Sequence, residues 1–291
     1  MILIVESGAT KTDWVGLQTE GGPARSVRTG GMNISSMSEA AVNEVVECAA
    51  KEFLKLGVSK IEIIHFYAAG LICQPGESVP SMAVKLDNVL RRFFPEARIE
   101  YASDTLAAAR AVCGTAPGIT AILGTGSNSC QYDGEKIVRN VRPGGFILGD
   151  EGGAVRLGKL FLSDYIKGLV PEPLAGEFGR EFDVDYLTIV NNVYKGGTPA
   201  GYLGSFAPWI TARYDSCEYV KNLVDSNFRD FIERSLLQYG QGSSLRVGVV
   251  GGFGFANAAI LRKIAEPYGI TFSKIIKAPI EGLVDFHSRK N

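Results

Sequence analysis

The sequence predicts a duplicated α/β fold, and three observations lead there. A β-β-β-α-β-α-β-α order in the first part of the chain restarts near residue 119 with three more short strands. The stretch "TEGGPARSVRTGG" at 19–31 echoes "YDGEKIVRNVRPGG" at 132–145. A glycine turn follows the first strand of each half, "SGATKT" in one and "GTGSNS" in the other. Matching turns at matching places in a repeat are the mark of a duplicated unit.

Taken in order, Met1 to Val5, Asp13 to Thr19 and Ala24 to Arg28 read as short strands, with Glu20-Gly21-Gly22-Pro23 turning between the last two. Val42, Val45, Val46, Ala49, Phe53 and Leu56 fall on one helical face, and Ser36-Met-Ser-Glu39 reads as a capping box before them. Ile61 to Ala69 is a near-continuous apolar run, as in a strand buried on both faces. Ala83, Leu86, Leu90 and Phe93 predict a second helix, stopped by Pro95. Arg98 to Ala102 is a strand, and Thr105 to Val112 opens an alanine-rich helix. In the second half Ile119 to Leu123, Ser129 to Tyr132 and Lys136 to Val141 are strands, with Asp133-Gly134 at a hairpin turn. A helical region is expected from about Glu151, carrying Val155, Phe161, Ile166 and Leu169 at helical spacing. More helix fills 185 to 240, Leu245 to Val250 is a buried strand, and Ala256 to Ala265 is a helix.

Composition narrows the functional classes. The 291 residues are 46% apolar and 21% charged, with a net charge of -1 and no long basic run, so a nucleic-acid surface has no support. The five cysteines, at 48, 73, 113, 130 and 217, form no C-x-x-C pair, which argues against a disulfide framework or a zinc ribbon and fits reduced thiols. A histidine triad or His-rich metal site would have to use His65 or His287, the two histidines of the chain. The opening apolar run breaks at Glu6 without a basic flank, unlike a signal peptide. No apolar stretch reaches the roughly 18 residues of a membrane span. A cytoplasmic protein with no membrane partner is the expectation.

Two glycine turns, one per half, would place backbone N–H groups where they can bind anions, with threonine and serine hydroxyls at the tips. The bland alternative is a pair of tight hairpins, where such residues are common. Other nucleotide motifs fail. Lys11-Thr12 lacks the glycine of a P-loop, and "GTGSNS" has Ser129 where a dinucleotide fingerprint needs its third glycine. "VVGGFGFANAAIL" runs from strand to helix but misses the G-x-G-x-x-G spacing.

Glu6-Ser7-Gly8-Ala9-Thr10-Lys11-Thr12, Ser103-Asp104, Gly124-Thr125-Gly126-Ser127-Asn128, Gly149-Asp150-Glu151-Gly152 and Gly251-Gly252 occur in the order seen in N-acetylglucosamine kinases. The chain resembles that family over essentially its whole length. The resemblance implies a duplicated ribonuclease H-like (actin-like ATPase) fold, with two lobes around a central cleft. Residues 1–105 would form the N-terminal lobe and 106–291 the C-terminal lobe, with the C-terminal helix free to pack back on the former. It implies an ATP-dependent kinase acting on the 6-hydroxyl of an amino sugar, most of all N-acetylglucosamine, with ATP and Mg²⁺ as cofactors and a homodimer as a common assembly. Gly8, Thr10, Lys11, Thr12, Thr125, Gly126 and Ser127 would hold phosphates, and Gly252, with Gly201 as a neighbour, would approach the nucleoside. Asn33, Asp150, Glu151 and Gly145 would contact the sugar. Glu6 stands where the family has an aspartate and would meet Mg²⁺ through water from a side chain one methylene longer. The segment Gly144 to Gly149 is shorter than in the family and lacks its tryptophan.

Asp104 is the candidate base. At a strand's carboxyl end it would point into the crevice where open α/β sheets bind ligands, and phosphoryl transfer to a hydroxyl needs a carboxylate to accept the proton. Sequence pattern alone leaves a helix N-cap equally open, and the resemblance favours the base. Asp150 and Glu151 could equally serve a helix dipole, Asn33 a turn, and Lys11 a solvated position. Two rival functions share the fold. One is an activator ATPase of a 2-hydroxyacyl-CoA dehydratase, which holds an iron–sulfur cluster with cysteines that are scattered here. The other is a non-catalytic sugar sensor, which brings a helix-turn-helix for which no room precedes Met1.

Overall fold

The computed structural model describes residues 1–8, 11–18, 23–32, 34, 37–58, 60–71, 79–240 and 246–289. Contacts divide the chain into two compact units, Met1–Ala116 with Gly134–Lys136 and Pro279–Asn291, and Pro117–Asp133 with Ile137–Ala278. The first unit runs on to Ala116, past the boundary expected at residue 105, and so keeps the helix that follows Asp104.

In the first unit, β1 (Ile2–Ser7), β2 (Lys11–Leu17), β3 (Arg25–Gly30), β4 (Ile63–Ala68) and β5 (Arg98–Ser103) form one sheet in the order β3-β2-β1-β4-β5. β1 pairs antiparallel with β2 and parallel with β4, so it is central, and Leu3, Ile4 and Val5 are fully buried. A strand covered on both faces can be apolar without alternation. Helix α1 (Glu39–Lys55) packs Val42, Val46, Ala49 and Phe53 inward. Its cap is Ser38, whose Oγ accepts from the Ala41 amide, and not Ser36, which lies outside the described residues. Helix α2 (Val84–Phe93) follows β4, and α3 (Asp104–Cys113) follows β5 directly.

The second unit repeats the plan. β6 (Gly118–Leu123), β7 (Ser127–Tyr132) and β8 (Ile137–Val141) are followed, after a helical insertion, by β9 (Arg246–Val250) and β10 (Thr271–Ile276), in the order β8-β7-β6-β9-β10. β6 pairs antiparallel with β7 and parallel with β9, as β1 does with β2 and β4. The letter echo falls on β3 and β8, the third strand of each sheet. The fold is α/β, a duplicated ribonuclease H-like architecture.

The insertion comprises α4 (Gly145–Leu148), α5 (Ala154–Tyr165), α6 (Glu172–Phe182), α7 (Tyr186–Tyr194), α8 (Pro199–Ser205), α9 (Ala207–Thr211) and α10 (Glu218–Arg234). Phe161, Phe178, Phe206 and Trp209 meet in an aromatic core, with Phe161 and Phe178 centroids 4.8 Å apart. α5 begins at Ala154, not near Glu151, because Asp150 and Gly152 have φ of 60° and 77°. It ends at Tyr165, so Ile166 caps it and Leu169 lies beyond it, 62% exposed. α11 (Gly252–Ala256) and α12 (Ala258–Ala265) divide the helix expected over 256–265, at Asn257.

The last helix, α13 (Ile280–Ser288), belongs to the first unit and packs on α3, β1 and β2. Gly282 makes this approach possible, since a Cβ there would lie 2.4 Å from the Ala111 carbonyl oxygen of α3. His287 stacks on His65 with centroids 3.8 Å apart and lies 2.8 Å from the Tyr67 hydroxyl, which Arg110 also reaches. The two histidines thus tie α13 to β4 and α3. No described helix is long and apolar enough to cross a membrane.

Candidate functional site

Two regions gather the expected residues. In the first unit, the β1–β2 register sets Glu6 opposite Asp13 and Ser7 opposite Thr12. Thr12 is fully buried, and its hydroxyl donates to the Gly30 carbonyl at 3.0 Å and lies 3.0 Å from Ser7 Oγ. That side chain closes the first turn from inside. Lys11 reaches Asp13 at 2.6 Å, as does Arg28. Burial alone would raise Asp13, but these two cations hold it below the usual carboxylate range. Gly8 donates to the Lys11 carbonyl at 2.9 Å, which shapes the start of the turn. Thr10 and Asn33 lie outside the described residues.

Glu6 has no cation hydrogen-bonded to it among the described residues. Burial raises it to about 7; Lys11 opposes the rise, and the negative charges of Asp13 and Asp104 add to it. Asp104 is the first residue of α3, and the cap before it is Ser103, whose Oγ accepts from the Leu106 amide at 3.1 Å. The capping role that competed for Asp104 is therefore filled by its neighbour. Asp104 Oδ1 accepts from the Thr105 amide at 2.8 Å and from its hydroxyl at 3.2 Å. Oδ2 has no hydrogen bond among the described residues. Burial raises Asp104, against the Thr105 hydrogen bonds. One carboxylate oxygen is anchored and the other is free.

In the second unit, the turn Gly124–Gly126 closes with the Gly124 amide donating to the Gly126 carbonyl at 3.0 Å. The first amides of α5 are spent on this turn, Ala154 to Gly124 at 3.0 Å and Val155 to Thr125 at 2.9 Å. The helix dipole thus bears on the turn from behind. The Thr125 side chain is exposed, and the Thr125 and Gly126 amides donate to nothing else among the described residues. Asp150 supports the turn from the other side, its Oδ1 accepting from the Ser127 amide at 3.1 Å. A Cβ at Gly126 would lie 2.8 Å from that carboxylate. Burial raises Asp150, with the Ser127 amide opposing. Glu151 is buried and pairs with Arg234 at 3.3 Å. Gly145 is exposed at the head of α4, where φ is 70°.

Sequence reasoning missed Asn227. Fully buried, it accepts from the Gly152 amide at 3.0 Å and donates to the Gly153 carbonyl at 3.2 Å, pinning the loop after Asp150. The available signal was a polar residue in the apolar stripe Val220, Val224, Phe228, Phe231 of α10.

Beside the turn lies a cavity of about 770 Å³, within the range of small-molecule sites. Gly124, Thr125 and Ala154 line it; α8 and α9 supply Gly204, Ala207 and Thr211; α11 and α12 supply Gly252, Phe253, Ala256, Asn257 and Ile260. Gly252, the residue expected near a nucleoside, lines this cavity. Gly201 is not among the lining residues, and the glycine of α8 that borders the cavity is Gly204, which packs on Thr125.

The chain matches no family model and no curated protein. Among solved structures it is similar to a proposed N-acetylglucosamine kinase from Porphyromonas gingivalis, with 35% identity over 99% of each chain and a TM-score of 0.89. The chain belongs to the N-acetylglucosamine kinase-like family. A second proposed member, from Chromobacterium violaceum, is 18% identical over 98% of each chain with a TM-score of 0.76. A ROK family glucokinase from Streptomyces griseus, solved with glucose and AMPPNP, shares the fold at 17% identity, covering 100% of this chain and 99% of its own, with a TM-score of 0.57. Within this N-acetylglucosamine kinase-like chain, Asp104 keeps one carboxylate oxygen without a hydrogen bond among the described residues, and the turn Gly124–Gly126 borders the cavity.

Proposed function

We propose that this chain is an ATP-dependent kinase that phosphorylates the 6-hydroxyl of an amino sugar, N-acetylglucosamine before others. The observation that carries the chemistry is Asp104, raised by burial, with Oδ1 anchored by Thr105 and Oδ2 free. The sugar class rests on the full-length likeness to a proposed N-acetylglucosamine kinase.

In this reading Asp104 Oδ2 accepts the proton of the sugar hydroxyl as its oxygen bonds to the γ-phosphorus and the bond to the β-phosphate oxygen breaks, leaving ADP. The Thr125 hydroxyl and the Thr125 and Gly126 amides bind phosphate oxygens, and the neighbouring cavity takes the nucleoside. Asp150 keeps the turn in shape through Ser127 and offers its second oxygen to a sugar hydroxyl. Glu151 contributes through Arg234, holding the loop. Thr12 and Lys11 shape the first turn, and Gly8, Thr10 and Asn33 keep the roles the resemblance implies.

Among the described residues no three His, Cys, Asp or Glu stand close enough to enclose a metal ion. That suits Mg²⁺, which keeps several waters and is bound through one or two carboxylates plus substrate phosphates. Glu6, a hard oxygen donor without a cation of its own, fits the outer position. When bound, Mg²⁺ neutralises charge on the phosphates. The test is turnover of ATP with Mg²⁺ against N-acetylglucosamine, glucosamine, N-acetylmuramic acid and glucose. N-acetylglucosamine should give the highest kcat/KM, and equal rates with and without every sugar would overturn the reading.

A further inference from the structure

The nucleoside cavity has one charged side chain among its described lining residues, Asp215. It is exposed, and its carboxylate has no hydrogen-bond or ion-pair partner among the described residues. The cation beside it is committed elsewhere: Arg213 lies 3.7 Å over the Trp209 ring and bonds Glu177 at 3.3 Å. Its neighbour Tyr214 is buried and donates to Asp225 at 2.7 Å, and on its other side the Ser216 and Cys217 amides donate to the Arg213 carbonyl at 3.2 and 3.0 Å. Asp215 is thus held on a segment fixed from both flanks, with its own carboxylate left over.

Resting on the kinase reading, we propose that Asp215 recognises the ribose diol of the bound nucleotide. The turn at Gly124 and Thr125, which also lines the cavity, is the one read as holding phosphate, and a carboxylate would repel phosphate. The wall formed by Phe253, Ala256 and Ile260 suits the face of a base and has nothing for an anion. A ribose places two hydroxyl donors side by side, and an ionised carboxylate is an acceptor with two oxygens. Dinucleotide-binding folds meet the ribose 2′-hydroxyl with an acid by the same logic. Because the flanking residues already hold Asp215, little ordering is needed on binding.

Calorimetry with ADP, 2′-deoxy-ADP, 3′-deoxy-ADP and IDP, on the wild type, Asp215→Ala and Asp215→Asn, tests this without any sugar. A hydrogen bond to a charged group corresponds to roughly tenfold or more in affinity. The wild type should prefer ADP over either deoxy nucleotide by about that factor. Asp215→Ala should lose the same factor for ADP and bind all three nearly equally, with Asp215→Asn between. IDP should behave like ADP throughout. An unchanged ratio of ADP to deoxy-ADP affinity in the variants overturns the inference, as does a loss that follows IDP, which would place the contact on the base. Ribose discrimination without sugar phosphorylation would sink the kinase reading alone; phosphorylation without discrimination would sink this inference alone.

Discussion

Asp104 and Glu6 are both acids in the same unit, and what surrounds each decides what it can do. Asp104→Asn keeps the size of the side chain and can still accept at Oδ1, but it cannot take a proton. Loss of a general base typically costs on the order of 10²–10⁴-fold, so kcat should fall that far while nucleotide affinity holds. Since Ser103 caps α3, stability should barely move. A folded variant keeping more than about a tenth of wild-type kcat would remove Asp104 as the base. Glu6 makes a pH prediction. Its folded pKa of about 7 exceeds the ordinary 4.5, so the stability from its neutral form is full below 4.5 and is lost as pH rises toward 7. Glu6→Gln does not titrate. The variant should therefore gain on the wild type between pH 5 and pH 8, by at most about 3 kcal/mol. Denaturant titrations showing one constant difference at both pH values would contradict the placement of Glu6.

At the level of elements, the second turn and the α3–α13 contact give the sharpest tests. Thr125→Val keeps the β-branched shape and removes the exposed hydroxyl. The KM for ATP should rise about tenfold, the size of a hydrogen bond to a charged group, with binding of sugar alone untouched; unchanged nucleotide affinity would move the phosphates elsewhere. Gly282→Ala sets two rules against each other. Helix propensity favours alanine over glycine by about 1 kcal/mol, whereas the new Cβ would meet the Ala111 carbonyl at 2.4 Å. Overpacking typically costs about 1–3 kcal/mol, so a net loss is expected, and a higher Tm in calorimetry would show that the helices simply separate. Elements were readable in the sequence where burial dominates: β1, β4 and β6 are apolar because both faces are covered. Helix starts were less so. Nothing in the letters shows that Asp150 and Gly152 adopt left-handed backbone, which delays α5, or that the cap of α1 falls on Ser38. β10 went unread, since Thr271, Ser273 and Lys274 break its apolar run.

At the scale of the whole chain, the duplication was visible because the two sheets share one strand order, and their third strands still share letters. Site residues were harder where pairing decides. Thr12 looks like a phosphate ligand in a string of letters, yet strand register turns its hydroxyl toward Ser7 and Gly30. Asn227 supports a loop 74 residues earlier in the chain, at Gly153, and no local pattern could announce that.

The return of α13 to the first unit sets a schedule for biosynthesis. Ribosomes release chains from the amino end, and domains tend to fold as they emerge. Here the sheet carrying Glu6, and α3 with Asp104 at its head, wait with their α13-facing side uncovered until the whole second unit has been translated. The second unit is contiguous apart from a short hairpin, so it has every contact it needs sooner. The earliest residues made are among the last to be sealed. A nascent chain halted before residue 279 would thus present an open apolar flank to chaperones, beside a finished second unit.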